Sequence, residues 1–301
     1  DILIQHADVA MYHAKESGSG YALYDANEDQ YTAQRLYMLC NLRDAMDNRQ
    51  ITLHYQPIID VNRRNIWGVE ALARWYHPEL GLIMPEEFIP LAVQSNLMRT
   101  LSLYVLQAAI EQMAQWQNDG IELRVSVNLS VHDIQDALLP EKLRELIERN
   151  RINPTRLILE ITENSVMTDS HGVRMVIEQL HEMGVSLAID DFGTGYSSLS
   201  YLKQIPADEI KIDKSFVRDM SRDDNDAVIV RTTIELAHNM GRRVIAEGVE
   251  DQDAYDLLEI LRCDLAQGYH ICKPISELDL RRWLAEDPLD CLRASRTYSP
   301  A

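Results

Sequence analysis

Residues 157–191 read LILEITENSVMTDSHGVRMVIEQLHEMGVSLAIDD, and their pattern decides the fold. The run 157–161 is apolar except for Glu160 and is short enough for a buried strand. Residues 172–183 carry apolar positions at helical spacing and leave through Gly184. A second apolar run, 186–189, ends in Asp190 and Asp191. Strand, helix and strand at this spacing form a βα unit that lays parallel strands side by side.

Outward from this unit the alternation repeats. Strands are expected at 54–61, 67–72, 123–129, 209–212, 243–246 and near 265–269, with helices at 101–118, 140–150, 227–240 and 254–262. Closing eight strands uses almost all of the chain beyond residue 48. The fold expected is therefore α/β, a modified TIM-like (β/α)8 barrel. Residues 62–66 are too few for the crossover between parallel neighbours, so the first two strands read as a hairpin and the start is irregular and partly antiparallel. A doubly wound open sheet is the alternative, but no glycine-rich first loop of the dinucleotide-binding kind supports it.

The chain has 301 residues, 46% of them hydrophobic, enough for a large core. Its 48 acidic and 29 basic residues give a net charge of −19, which disfavours polymeric nucleic acid and contact of this fragment with an anionic membrane. It leaves room for a small phosphorylated ligand, because a bound metal reverses the local field. No long apolar run or secretory leader is visible, and Cys40, Cys263, Cys272 and Cys291 form no close ligand pair or dense disulfide framework. A cytoplasmic setting is expected, including as the cytoplasmic part of a larger sensory or membrane-anchored protein. Residues 1–27 read as the last helix and strand of a preceding unit. Residues 28–48 form a helical link with a stripe at Leu36, Leu39, Leu42 and Met46, residues 49–287 the barrel, and 288–301 a loosely packed tail.

Polar residues interrupt the strand ends in a consistent way. Glu70, Asn128, Glu160, the pair Asp190 and Asp191, Lys211 with Asp213, Glu247 and Gln267 stand at seven of them. Any one alone reads as a cap or a satisfied buried group. Together they would meet at the C-terminal mouth of a barrel, where active sites are assembled. Crowded carboxylates raise one another's pKa values, and a bound dication relieves that cost. An oxygen-rich set with few histidines suits Mg²⁺ or Mn²⁺. Ca²⁺ would also fill such sites, but its looser geometry would support catalysis poorly and inhibit. Glu70, Asn128, Glu160 and Asp190 can hold one ion, and Asp191 can reach a second with Asp190 bridging. The pattern supports one ion more directly than two.

Lys211 admits three readings: an electrostatic role at a phosphate or its attacking water, a Schiff-base nucleophile, or a structural ion pair. Glu247 could take a proton or organise water, and Gln267 could hold a water or ligand by hydrogen bonds. The polar loop 191–199 carries glycines beside the Asp pair, with Ser197 or Ser198 as helix caps and Glu163 as its acidic anchor. Gln56 and Arg74 lie near the first strand ends, although 74–78 also reads as a loop with an arginine stacked on aromatics. His54, His77 and His132 lack zinc-peptidase spacing and read as core or surface residues. Ser126 and Ser130 lack the glycine context of a nucleophile elbow. Asp219, Asp223, Asp224 and Asp226 read as a solvated loop and helix start.

The ordered set Tyr55-Gln56-Pro57, Glu70-Ala71-Leu72 with Arg74-Trp75, Asn128-Leu129-Ser130, Glu160-Ile161-Thr162-Glu163, the loop 190–199, Lys211-Ile212-Asp213, Ala246-Glu247-Gly248-Val249-Glu250 and Gln267-Gly268-Tyr269 resembles the EAL-domain family of cyclic di-GMP phosphodiesterases over residues 30–285. The opening Ala7-Asp8-Val9-Ala10-Met11-Tyr12-His13-Ala14-Lys15 is similar to the tail of a GGDEF-type domain whose signature is absent here.

The resemblance implies metal-dependent hydrolysis of cyclic di-GMP to linear 5′-pGpG by in-line attack of a metal-activated water, in bacterial second-messenger signalling. It implies one or two ions on Glu70, Asn128, Glu160, Asp190 and Asp191, with Glu70, Lys211 and Glu247 catalytic and Gln267 supporting the shell. Gln56, Arg74 and Asp213 become ligand contacts. Glu163 becomes the anchor of a loop tied to dimerisation, so a homodimer is expected. A receptor that binds cyclic di-GMP without cleaving it, and a Schiff-base barrel enzyme, are the competing readings.

Overall fold

The computed structural model describes residues 20–24, 26–166, 171–195, 202–286 and 289, and, nearer the start, residues 6, 7, 10, 11 and 14, with backbone alone at 26–34, 36 and 166. Most of the GGDEF-like opening, Ser197 and Ser198, and all of the expected tail save Leu289 lie outside the described residues.

In chain order the elements are α1 (Ala26–Asp47), β1 (Ile51–Asp60), β2 (Asn65–His77), β3 (Gly81–Ile83), α2 (Pro85–Gln94), α3 (Met98–Asn118), β4 (Arg124–Leu129), α4 (Val131–Ile134), α5 (Leu139–Asn150), β5 (Leu157–Thr162), α6 (Glu163–Val166), α7 (His171–Glu182), β6 (Ser186–Phe192), β7 (Glu209–Ile212), α8 (Lys214–Val217), α9 (Asp224–Asn239), β8 (Arg243–Ala246), α10 (Gln252–Ile260), β9 (Leu265–Ala266) and α11 (Glu277–Ala285). A 3₁₀ turn, Pro154–Arg156, leads into β5.

Neighbours run β1-β9-β8-β7-β6-β5-β4-β2, and pairing of β1 with β2 closes eight strands into a barrel. From β2 through β9 every barrel pair is parallel, whereas β1 pairs antiparallel with β9, Ile59 opposite Ala266. The irregular start expected from the short 62–66 connection is thus present, and its physical cause is that four residues permit only a hairpin. Arg64 turns this hairpin in the left-handed region (φ 51°). Its guanidinium reaches Glu259 at 2.8 Å.

The central strands are buried on both faces; β5 is accordingly apolar from Leu157 to Ile161 save Glu160, whereas β7 alternates buried Glu209 and Lys211 with Ile210 and Ile212. Helices start where acidic or hydroxyl caps precede apolar periodicity. Asp223 accepts from the Asn225 N–H at α9, Asp251 from Ala254 at α10 and Ser276 from Asp279 at α11.

By compactness the chain forms two units. One comprises Thr52–Ala73 and Ser102–Ala301 and holds the barrel strands with α4 to α11. The other comprises Asp1–Ile51 and Arg74–Leu101. In the latter, Met38, Leu42, Met46, Trp75, Phe88 and Leu91 are buried. Trp75 meets Phe88 edge-on at 6.1 Å and donates its indole N–H to Gln50 at 3.2 Å.

Residues 74–77 depart from the loop reading: they are the end of β2, with Trp75 opposite Ile83. The elements β3, α2 and α11 had no counterpart in the sequence reading. For α2 the reason is Pro90 inside the helix, which suppresses a helical expectation, while Pro85 at its start is well suited to a first turn. Among the described residues no helix is long and apolar enough to cross a membrane.

Candidate functional site

The parallel register gathers the polar strand ends, with Asn128 two residues beyond the partner of Glu70 and Asp190 two beyond the partner of Glu160. Asn128 on β4 pairs with Glu160 on β5, and Thr162 at the end of β5 pairs with Asp190 on β6. Lys211 on β7 points into this ring and is 1% exposed. Its ammonium lies 2.6 Å from Glu160 Oε2, 2.6 Å from Glu247 Oε1, 3.3 Å from Asp190 Oδ1 and 3.8 Å from Glu70 Oε2. Glu70 also accepts from Asn128 Nδ2 at Oε1, 2.7 Å, and from Gln267 Nε2 at Oε2, 2.6 Å. Gln267 also donates to Gln56 Oε1 at 3.1 Å, and Gln56 in turn donates to the Cys272 carbonyl at 3.0 Å.

The Asp pair depends on a local irregularity. Consecutive strand residues point to opposite faces, so Asp190 and Asp191 could not share a site on a regular strand. The β6–β7 register shifts between Ile189 and Phe192, and Asp191 adopts a left-handed conformation at φ 54°. A bulge of this kind re-aims side chains, and aspartate is among the few non-glycine residues that tolerate this region. As a result, carboxylate oxygens of Asp190, Asp191 and Glu247 lie within 4.8 Å of one another.

One ammonium faces four carboxylates here, so the cluster keeps an excess of negative charge. The titration behaviour follows from that imbalance. Burial pushes Glu160 well above the usual carboxylate range; Lys211 opposes this, while Glu70, Asp190 and Glu247 reinforce it. Burial likewise raises Glu247, to about 8, against the pull of Lys211. Asp191 is raised by burial and then by Asp190. For Glu70 burial acts upward but is outweighed by the Lys211 charge and the hydrogen bonds from Gln267 and Asn128, which leave it below its ordinary value. Lys211 is opposed by burial yet held well above its ordinary value by the carboxylates, which fixes it as a cation.

Two buried oxygens in the ring, Glu160 Oε1 and Gln267 Oε1, have no hydrogen-bond partner. A buried acceptor without a donor costs about 1–3 kcal/mol, more when charged. Hard oxygen atoms, excess negative charge and an orphaned carboxylate oxygen together fit a hard divalent cation. The carboxylates whose oxygens come close enough to share one ion are Asp190, Asp191 and Glu247. A fixed, charged Lys211 also removes the neutral amine that Schiff-base chemistry requires.

The expected residues are not all equivalent in place. Gln56, Glu70, Asp190, Glu247 and Gln267 line one cavity. Asp213 caps α8, accepting from the Ser215 N–H at 3.0 Å, and Arg74 lies in the other compact unit; neither lines the cavity. Glu163 accepts from the Gly193 N–H at 2.9 Å and so holds the start of the loop after the Asp pair. A side chain at Gly193 would press on the Phe216 ring, its Cβ 2.9 Å away. His77 accepts from the Glu79 and Leu80 N–H groups, and His54 approaches the Pro274 carbonyl, consistent with structural roles.

The sequence reading missed several cavity walls: Leu72, Lys214, Arg218, Glu250 and Tyr269. Arg218 pairs with Glu250 at 2.7 Å, joining the segment after β7 to the segment after β8. Leu72 stands two residues past Glu70 within β2, and the other four follow β7, β8 or β9 shortly after a site residue.

Comparison with known proteins agrees with this geometry. The pattern that defines the EAL domain matches residues 39–274. The bifunctional diguanylate cyclase/cyclic di-GMP phosphodiesterase MucR of Pseudomonas aeruginosa is 40% identical over 275 residues, 91% of this chain and 40% of MucR. The cyclic di-GMP phosphodiesterase PdeR of Escherichia coli K12 is 36% identical over 282 residues, 93% of this chain and 42% of PdeR. The chain thus spans less than half the length of these relatives. A solved structure described as the PaMucR phosphodiesterase in complex with c-di-GMP superposes with a TM-score of 0.78 at 40% identity, covering 81% of this chain and 99% of that one.

Proposed function

The chain belongs to the EAL-domain family, and from that premise we propose that it hydrolyses cyclic di-GMP to linear 5′-pGpG in a metal-dependent reaction. The observation that carries the proposal is the ring of four carboxylates around Lys211, with Glu160 Oε1 left without a partner at the mouth of the barrel. Such a site has the charge and donors for dications and, through them, for a phosphodiester.

Glu70, Asn128, Glu160 and Asp190 would hold one ion, with Asp190 and Asp191 shared toward a second. Bound there, Mg²⁺ or Mn²⁺ lowers the pKa of water and offsets charge on phosphate oxygens. Lys211 supplies a fixed positive charge beside the scissile phosphate and is aimed by Glu160 and Glu247. Glu247, whose pKa is lifted to about 8, is suited to taking a proton from water as it attacks in line with the departing 3′-oxygen. Gln267 and Asn128 keep Glu70 ionised and oriented by donating to both of its oxygens. Gln56 is placed to meet the ligand inside the cavity, and Arg74 and Asp213 are assigned contacts on resemblance alone.

In this reading residues 1–27 are the end of a GGDEF-type domain, 28–48 a helical link and 49–287 the phosphodiesterase barrel. The protein works in the cytoplasm as a homodimer in second-messenger signalling, with Glu163 tying the loop after Asp191 to that regulation. The test is incubation with cyclic di-GMP and Mg²⁺ or Mn²⁺, resolving products by chromatography. Formation of pGpG that stops with chelator and with Glu70→Ala supports the proposal. Tight binding without product by metal-loaded protein would overturn it in favour of a receptor.

A further inference from the structure

The carboxylate of Asp133 has no part in the chemistry proposed above, yet it is 3% exposed. Its Oδ2 accepts three hydrogen bonds, from the Ser130 N–H at 2.7 Å, Ser130 Oγ at 2.6 Å and Ser102 Oγ at 2.7 Å. Among the described residues these donors are hydroxyl and amide groups, and none is a cation. A buried carboxylate is costly unless hydrogen-bonded, and in return its bonds are about twice as strong as those between neutral groups. What Asp133 holds is therefore held firmly.

Ser130 stands two residues past Asn128, where the chain leaves β4. On the β5 side, pairing continues to Leu129 opposite Ile161, but on the β2 side it stops at Val127 opposite Ala71. Asn128 is exposed while its strand neighbours Val127 and Leu129 are buried. Packing does not fix its side chain, so its 2.7 Å bond to Glu70 depends on how the backbone leaves the strand. Asp133 sets that exit and, through Ser102, ties it to α3. A similar device stands one strand further on: Glu163, 1% exposed, accepts from the Gly193 N–H and holds the backbone that follows Asp191.

We propose that Asp133 is a positioning residue which, acting through Ser130, aims Asn128 at Glu70 and so fixes the geometry of the carboxylate end of the cavity. This rests on the phosphodiesterase reading above, and the test separates the two. A double-mutant cycle compares wild type, Asp133→Ala, Asn128→Ala and the double variant by kcat for pGpG formation and by calorimetric titration with Mn²⁺, below the melting temperature of each. Misplacement of a group by about 1 Å costs up to about a hundredfold, so Asp133→Ala is expected to lower kcat at least about tenfold and Mn²⁺ affinity about threefold. In the Asn128→Ala background the same substitution is expected to change either quantity by less than about twofold, because the residue it acts through is gone. Asp133→Asn keeps an acceptor oxygen for Ser130 and is expected within about threefold of wild type. Equal losses in the two backgrounds, or no loss in folded Asp133→Ala, overturn the positioning role even where wild type forms pGpG. Should Asp133→Ala not fold, the cycle is run with Ser102→Ala, expected to lower kcat about threefold, and no loss or an additive loss there overturns the role equally. Absence of pGpG with Mn²⁺ affinities still coupled overturns the hydrolysis and leaves the positioning role standing. No Mn²⁺ binding by wild type overturns both.

Discussion

Replacing Lys211 by methionine removes the only cation within 4 Å of Glu70, Glu160, Asp190 and Glu247 among the described contacts, at nearly constant side-chain length. Because Lys211 is 1% exposed, solvent cannot screen the loss. Breaking a buried pair of this kind costs about 3–5 kcal/mol. The carboxylates can limit that cost by taking up protons. Protonating one carboxyl of ordinary pKa near 4.5 at pH 7 costs about 3.4 kcal/mol, so the loss at pH 7 is expected near the same 3–5 kcal/mol.

The pH dependence carries the sharper test. Glu160 and Glu247 already have raised folded-state values, so the native state binds more protons than the unfolded state above pH 4.5. Stability from these groups is therefore fully present below the unfolded value and declines as pH rises toward about 8. Without Lys211 the Glu70 carboxyl, which that charge helps to hold below its ordinary value against its own burial, moves up and adds about one proton to the native state. At about 1.4 kcal/mol per proton per pH unit, the deficit of Lys211→Met is expected to shrink by about 3 kcal/mol between pH 7 and pH 5. Urea unfolding of metal-free wild type and variant at both pH values measures it. An equal deficit at pH 7 and pH 5 would refute the electrostatic reasoning and leave Lys211 as a packing residue.

Three further outcomes are expected. Stabilisation of the wild type by Mn²⁺, read as a melting shift at fixed metal concentration, should grow from pH 5 to pH 8, because a dication among these carboxylates must displace the protons held by Glu160 and by Glu247, whose pKa is about 8; a flat profile would place the metal elsewhere. Asp191→Asn should keep the left-handed bulge but weaken metal binding at least several-fold by titration calorimetry, whereas Asp191→Val should also lose about 1–2 kcal/mol in urea unfolding because a β-branched residue is strained at φ 54°; equal stability of the two would argue against the bulge. Gly268→Ala should destabilise the protein by more than about 2 kcal/mol, since its methyl meets the Val249 backbone rather than a yielding side chain, and a melting curve like that of wild type would contradict this packing.

How much of this was legible beforehand follows from the physics of each feature. The βα alternation from residue 123 to 246 was readable because both-face burial leaves short, largely apolar runs such as 157–161 and 243–246, and β7 and β8 stand at 209–212 and 243–246 as expected, β7 with Glu209 and Lys211 between its isoleucines. The hairpin start was readable from connection length alone. The ring at the strand ends was readable because carboxylates and Lys211 interrupt those runs at matching positions, and the register then fixes their level. The bulge at Asp190 and Asp191 was not, since a register shift depends on the neighbouring strand. Lys214 and Arg218 were equally hidden, because a residue beyond a strand end acquires a role only when another segment packs beside it. Asp213 was legible only as a residue beside Lys211; that its carboxylate caps the next helix shows in the structure alone.

The central claim is that the carboxylate ring and Lys211 direct water onto a phosphodiester of cyclic di-GMP. Its most direct test is hydrolysis in water enriched in oxygen-18 with Mn²⁺ present, followed by mass spectrometry of the product. The expected result is pGpG carrying one heavy oxygen on its 5′-phosphate, formed by wild type and abolished by Glu70→Ala or by chelation. Cyclic di-GMP recovered intact from metal-loaded wild type, or pGpG without the label, would contradict it.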